Sequence, residues 1–132
     1  MNSLVELHHL LGNLLHQSGQ LDQAIHQLSE ATRLDPDRLE SYLELGATQQ
    51  DRRQHTLAIQ TYQKAIAIAP EDPRPYFQSA QAYKACRDYL GAERMLRRAA
   101  DLAPEDLGIH RQLAALVALN LIHNRRPVPT EV

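Results

Sequence analysis

Pro36, Pro70 and Pro104 stand 34 residues apart. A fixed period in this range marks a repeat fold, in which each unit buries its apolar face only against its neighbours. Four further columns keep the same step: Ala24, Ala58 and Ala92; Ala31, Ala65 and Ala99; Gly12, Gly46 and Ala80; and the large Leu28, Tyr62 and Leu96. Small residues at fixed places let two helices approach, and the large residue fills the space beside them. Each proline lacks an N–H and disfavours helix in the residue before it, so it closes a helix. Asp37, Asp72 and Asp106 follow the prolines and are placed to cap the next helix, with Pro73 suited to a first helical position.

These columns resemble the tetratricopeptide repeat family, whose signature runs aromatic, Leu-Gly, Tyr, Ala, a large apolar residue, Ala and Pro. The repeats fall at residues 5–38, 39–72 and 73–106, with a capping helix at 107–122 and a flexible tail at 123–132. The resemblance implies an all-α, right-handed superhelical solenoid of antiparallel helix pairs, forming a single domain over residues 5–122. Seven helices are expected, near 5–18, 22–34, 39–51, 56–69, 73–86, 90–102 and 107–122. The aromatic column holds His8, Tyr42 and Tyr76, and the later Tyr column holds Leu15, Gln49 and Tyr83. Gln49 departs most from the signature and predicts looser packing inside the second repeat.

Composition removes several function classes. The chain has 132 residues and a formal charge of −2, too little positive charge for a dedicated nucleic-acid or anionic-membrane binder. Cys86 is its only cysteine, so no intramolecular disulfide and no multi-cysteine metal site can form. Late in a helix, Cys86 is expected to be a small buried residue and not a reactive thiol. Met1-Asn2-Ser3-Leu4 does not read as a secretion signal, and the longest apolar run, 113–119, is far short of a membrane span. The expected compartment is cytoplasmic, with no membrane insertion.

In the tetratricopeptide family the first helix of each repeat lines a concave groove. The resemblance therefore points to Glu6, His9 and Asn13 from the first repeat, Leu43 and Ala47 from the second, Arg74, Phe77, Gln81 and Lys84 from the third, and Arg111 from the last helix. Phe77 and Leu43 suit an apolar side chain of a bound segment, while Asn13 and Gln81 can both donate and accept. Phe77 has a second reading, packing against the neighbouring helix. Some family members clamp the C-terminal carboxylate of heat-shock chaperones. Against that clamp the chain matches only Asn13, with Arg74 as a like-charge replacement. His9, Gln78 and above all the carboxylate of Glu44 argue against it. The first two repeats are acidic and the remainder basic, which reads either as ordinary solvated faces, Glu93 with Arg97 being an i,i+4 pair, or as a polarity that orients a partner.

No catalytic constellation emerges. His9 and His16 lie two helical turns apart, about 10 Å, too far to share a metal ion. The arginines around residue 94 lack a phosphate loop and interleaved aromatics. The last helix is apolar nearly all round, and Leu116, Leu119 and Ile122 are candidate contacts for a second copy or another cover. The sequence thus points to a protein-interaction adaptor or scaffold, not an enzyme, with no cofactor, no metal and no nucleic acid. Its partner is another protein or peptide, held as a segment or helix in the groove. The alternative is a structural module that self-associates through its C-terminal helix.

Overall fold

The computed structural model describes residues 3–123; the rest of the expected tail lies outside the described residues. Helix follows helix: α1 (Ser3–Gln17), α2 (Leu21–Leu34), α3 (Leu39–Asp51), α4 (His55–Ile68), α5 (Pro73–Ala85), α6 (Tyr89–Leu102) and α7 (Leu107–His123). Among the described residues there is no strand, and the fold class is an all-α helical solenoid. Each period-marking proline sits directly after a C-cap, at Asp35, Ala69 and Ala103, as its missing N–H requires. Asp72 accepts from the Arg74 N–H at 2.9 Å and Asp106 from the Ile109 N–H at 3.2 Å. Asp37 does not cap: the N-cap position of α3 is Arg38, one residue later, and the Asp37 N–H is itself held by Asp35.

The chain divides into two compact units, one ending at Glu71 and the other starting at Asp72. In the first, α1 packs on α2, α2 on α3 and α3 on α4. Ala24, Leu28, Ala31, Ala58, Tyr62 and Ala65 form its core, all essentially without exposure. The glycine column explains how closely these helices meet. A Cβ on Gly12 would fall 2.5 Å from Leu28 Cγ, and one on Gly46 would collide with the Tyr62 ring. Burial pushes the Tyr62 phenol well above its ordinary pKa, with the Asp51 and Glu44 carboxylates adding to the shift. Gln49 stays inside, where its side-chain oxygen accepts from the Thr61 hydroxyl at 2.6 Å. A hydrogen bond between α3 and α4 thus serves where the family signature has an aromatic ring.

In the second unit α5 packs on α6 and α6 on α7. Ala80, Ala92, Leu96 and Ala99 repeat the core of the first. Asn120 of α7 is 0% exposed and donates to the Tyr89 carbonyl at 3.1 Å and to Glu93 Oε1 at 2.7 Å. The other Glu93 oxygen accepts from Arg97 at 2.8 Å. Glu93 and Arg97 are therefore more than a surface pair, because Glu93 is buried and ties α6 to α7.

The turns inside the repeats show a further column. Gly19, Arg53 and Arg87 all have positive φ, at 81°, 67° and 62°. Each is followed by the bond that closes a helix end, Gln20 N–H to Leu15 O at 2.9 Å, Gln54 to Gln49 at 2.8 Å and Asp88 to Tyr83 at 2.9 Å. Glycine meets this geometry without steric cost, and the two arginines adopt it under strain. Cys86 falls just before the third of these turns, at the C-cap of α5, and is exposed because the helix ends there.

Candidate functional site

Helices α1 and α3 carry a chain of polar side chains. Ser41 Oγ lies 3.2 Å from His9 Nδ1. With its nitrogen turned to Glu44, the Asn13 amide donates to both carboxylate oxygens at 3.2 and 3.3 Å, and its oxygen lies 3.4 Å from His9 Nε2. His9 is then a neutral ring that accepts from Ser41 and donates to Asn13. Burial, and after it the Arg38 cation, lowers the His9 pKa, which fits that form. His16 is the opposite case. Its Nδ1 lies 2.6 Å from Glu44 Oε2 and its Nε2 2.6 Å from Asp51 Oδ2. A carboxylate only accepts, so both nitrogens donate and the ring is an imidazolium. Burial opposes that charge, but the hydrogen bonds to Asp51 and Glu44 outweigh it and raise the pKa.

This network places the expected residues of the first unit. His9 is buried, Asn13 and Ala47 are half-buried, and Glu6 pairs with Arg38 at 2.7 Å. His9 and His16 have separate partners, and no group of three or more His, Cys, Asp or Glu among the described residues is placed to hold a metal. Leu43, read from the family pattern as open, is buried, because α3 is enclosed by α1, α2 and α4 and keeps few free positions. Glu44 was legible only as a mismatch to the carboxylate clamp. His16 lies 28 residues from Glu44 and 35 from Asp51, separations at which no local pattern reports a contact.

The second unit has a cleft of about 250 Å³ between α5 and α7. Phe77 and Ile109 give it apolar walls, with Gln78, Gln112, Arg74 and Asp106 around them. Phe77 is half-buried and forms part of this opening. Gln81 bridges the two helices, donating to Gln112 Oε1 at 2.9 Å. Arg74 is exposed and bound to Asp72 at 2.7 Å, while Arg111 is exposed on α7 and Lys84 half-buried near the end of α5. The structure thus brings Arg74 and Phe77 to one opening and keeps Lys84 and Arg111 off its lining. On α7, Leu116 is buried in the packing against α6, Leu119 is half-buried, and Ile122 is 70% exposed. Leu116 therefore faces the core and offers no surface to a second copy.

Family models of the tetratricopeptide repeat match residues 39–72 and 73–106, and one described as TPR repeat matches residues 12–52. The chain belongs to the tetratricopeptide repeat family. Among solved tetratricopeptide-type structures, the type III secretion translocator chaperone SycD of Yersinia enterocolitica superposes with a TM-score of 0.84 at 23% identity. The match covers 91% of this chain and 96% of that one. A second SycD structure, also at TM-score 0.84 and 23% identity over 91% and 97% of the two chains, holds a peptide of the translocator YopD. The first repeat domain of Spaghetti (RPAP3), bound to the HSP90 peptide SRMEEVD, superposes at 0.83 with 16% identity, over 90% of this chain and 94% of that one. At these identities the likeness is one of fold. No curated protein sequence matches the chain significantly. No helix of the described residues is long and apolar enough to cross a membrane.

Proposed function

We propose that this tetratricopeptide protein is an adaptor that receives a peptide segment or helix of another protein, with the α5/α7 cleft as the anchoring point. The observation that carries this is the cleft itself: Phe77 and Ile109 wall about 250 Å³ of open space, room for a large apolar side chain. A mostly apolar concavity with a few polar groups at its edge is the usual form of a binding site. The peptide complexes of SycD and RPAP3 support the class, since in both a chain of this fold holds a short segment.

The two surfaces are not equivalent as ligands for a segment. Glu6, His9 and Asn13 are already engaged by neighbours, so a ligand must compete with existing bonds there. Arg111 and Lys84 lie on the helices that bound the cleft and favour a segment with acidic residues beside its apolar anchor. In this reading the module works by binding, without catalysis or cofactor, in the cytoplasm. Peptides selected from a random library on the whole chain should carry a large apolar residue with acidic neighbours. Phe77→Ala should then weaken the best of them about tenfold or more in calorimetry, with helicity kept. Unchanged affinity would remove the cleft from the account.

A further inference from the structure

Helix α1 is turned partly inside out. Its polar side chains point into the fold: Glu6 reaches Arg38, His8 reaches Gln27, His9 meets Ser41, and His16 lies between Glu44 and Asp51. Its leucines point out. Leu4, Leu7, Leu10, Leu11 and Leu14 are each between 39% and 61% exposed. At 100° per residue they occupy roughly 120° of the helix circumference, with no charged residue in that sector. Among the described residues the other large exposed apolar ones, Leu57, Leu90, Leu107 and Ile122, are scattered over α4, α6 and α7, which is ordinary for a protein surface.

We propose that this leucine face is the docking surface for a second copy of the chain, α1 against α1 about a two-fold axis. Spacing is the first argument. Leu4, Leu7, Leu11 and Leu14 follow steps of three, four and three, the seam spacing of paired helices, and the steps read the same in both directions. An antiparallel pairing sets Leu7 on Leu11 of the partner subunit and Leu4 on Leu14 of the partner subunit. Charge is the second. A two-fold contact brings a surface against its own image, so a charged face repels itself, and this one carries no charge. Area is the third. The leucines expose on the order of 450 Å² per copy, so pairing buries on the order of 900 Å² from them alone, close to the roughly 1,000 Å² a specific interface needs. The flanking surface supplies the remainder. This inference is independent of the peptide-binding reading, since it uses the side of α1 away from the polar network.

Light scattering over a concentration series should report twice the 15.0 kDa chain mass. Leu7→Glu with Leu11→Glu should return the single-chain mass with helical circular dichroism unchanged, while Leu107→Glu with Ile122→Glu should leave the pair intact. In a Cys86→Ser background, a mixture of Leu7→Cys and Leu11→Cys chains should form a disulfide-linked pair that neither forms alone. A single-chain mass at every concentration would overturn the proposal. So would a dimer indifferent to the Leu7 and Leu11 changes, which would place the contact between copies elsewhere. Self-linkage of Leu7→Cys alone would overturn the antiparallel arrangement.

Discussion

The first and last described helices, α1 and α7, are both rich in leucine, yet α7 buries Leu116 in its core where α1 buries no leucine. On α7 the apolar residues Ile109 and Leu116 face the core, and the buried polar residue beside them, Asn120, donates to both the Tyr89 carbonyl and Glu93. On α1 the inward face is Val5, Gly12 and a set of histidine and amide groups, and leucine is left outside. Apolar content alone therefore does not say which helix has a face to cover. The angle at which the residues leave the axis says it, and so does whether polar neighbours are already satisfied. α7 buries Ile109 and Leu116 in its own unit and leaves Leu107 and Ile122 apart at its two ends, whereas α1 leaves a continuous row of leucines outside.

Replacing Asn120 should give the largest stability effect. Asn120→Ala removes the donor to the Tyr89 carbonyl and to buried Glu93, and should cost about 2–3 kcal/mol in urea unfolding. A loss under about 1 kcal/mol would mean that α7 is held by apolar contact alone, and the contrast with α1 would weaken.

The polar side of α1 can be sharpened by pH. The folded-state pKa of His16 is raised, so its stabilisation is complete below the ordinary value of 6.5 and fades as pH rises through the raised value. His16→Gln should therefore cost about 1 kcal/mol in mildly acidic buffer, given the exposure of Asp51, and less in alkaline buffer. His9 works in the other direction. Its lowered pKa favours the neutral form, giving stability that is present above 6.5 and lost as pH falls toward the lowered value. Equal cost of His16→Gln at both ends of the range would argue against the imidazolium.

The smallest expected effect lies in the turns that follow α1 and α5. Gly19 after α1 has the residue its positive φ asks for, and Arg87 after α5 does not. Arg87→Gly should stabilise the chain by about 0.5–1 kcal/mol in thermal unfolding, and Gly19→Ala should destabilise it by a similar amount. A loss on Arg87→Gly would show that the arginine side chain matters more than the strain.

Much of this fold was legible before any coordinates. The proline column set the period, the alanine and glycine columns set the close contacts, and all seven helices lie within two residues of where the patterns place them. The turn column was hidden because arginine occupies two of its three places, and only dihedral angles betray the strain. The site was less legible for a physical reason. A family pattern says which helix faces a groove, but not whether its residues are spoken for by others distant in sequence. Leu43 is enclosed by packing, and His9, Asn13 and His16 are engaged by Ser41, Glu44 and Asp51. The outward leucines of α1 do carry a sequence signal, the steps from Leu4 to Leu14, but sequence alone does not say which side of α1 the fold covers.

The most direct measurement is an amide NMR titration of the whole chain with a library-selected peptide. The account predicts that the shifted signals gather on α5 and α7 around Arg74, Phe77, Gln78, Ile109 and Gln112, with the leucine face of α1 unmoved. Shifts gathered on α1 between Leu4 and Leu14 would contradict it, making the leucine face the peptide site and leaving the α5/α7 cleft without a role.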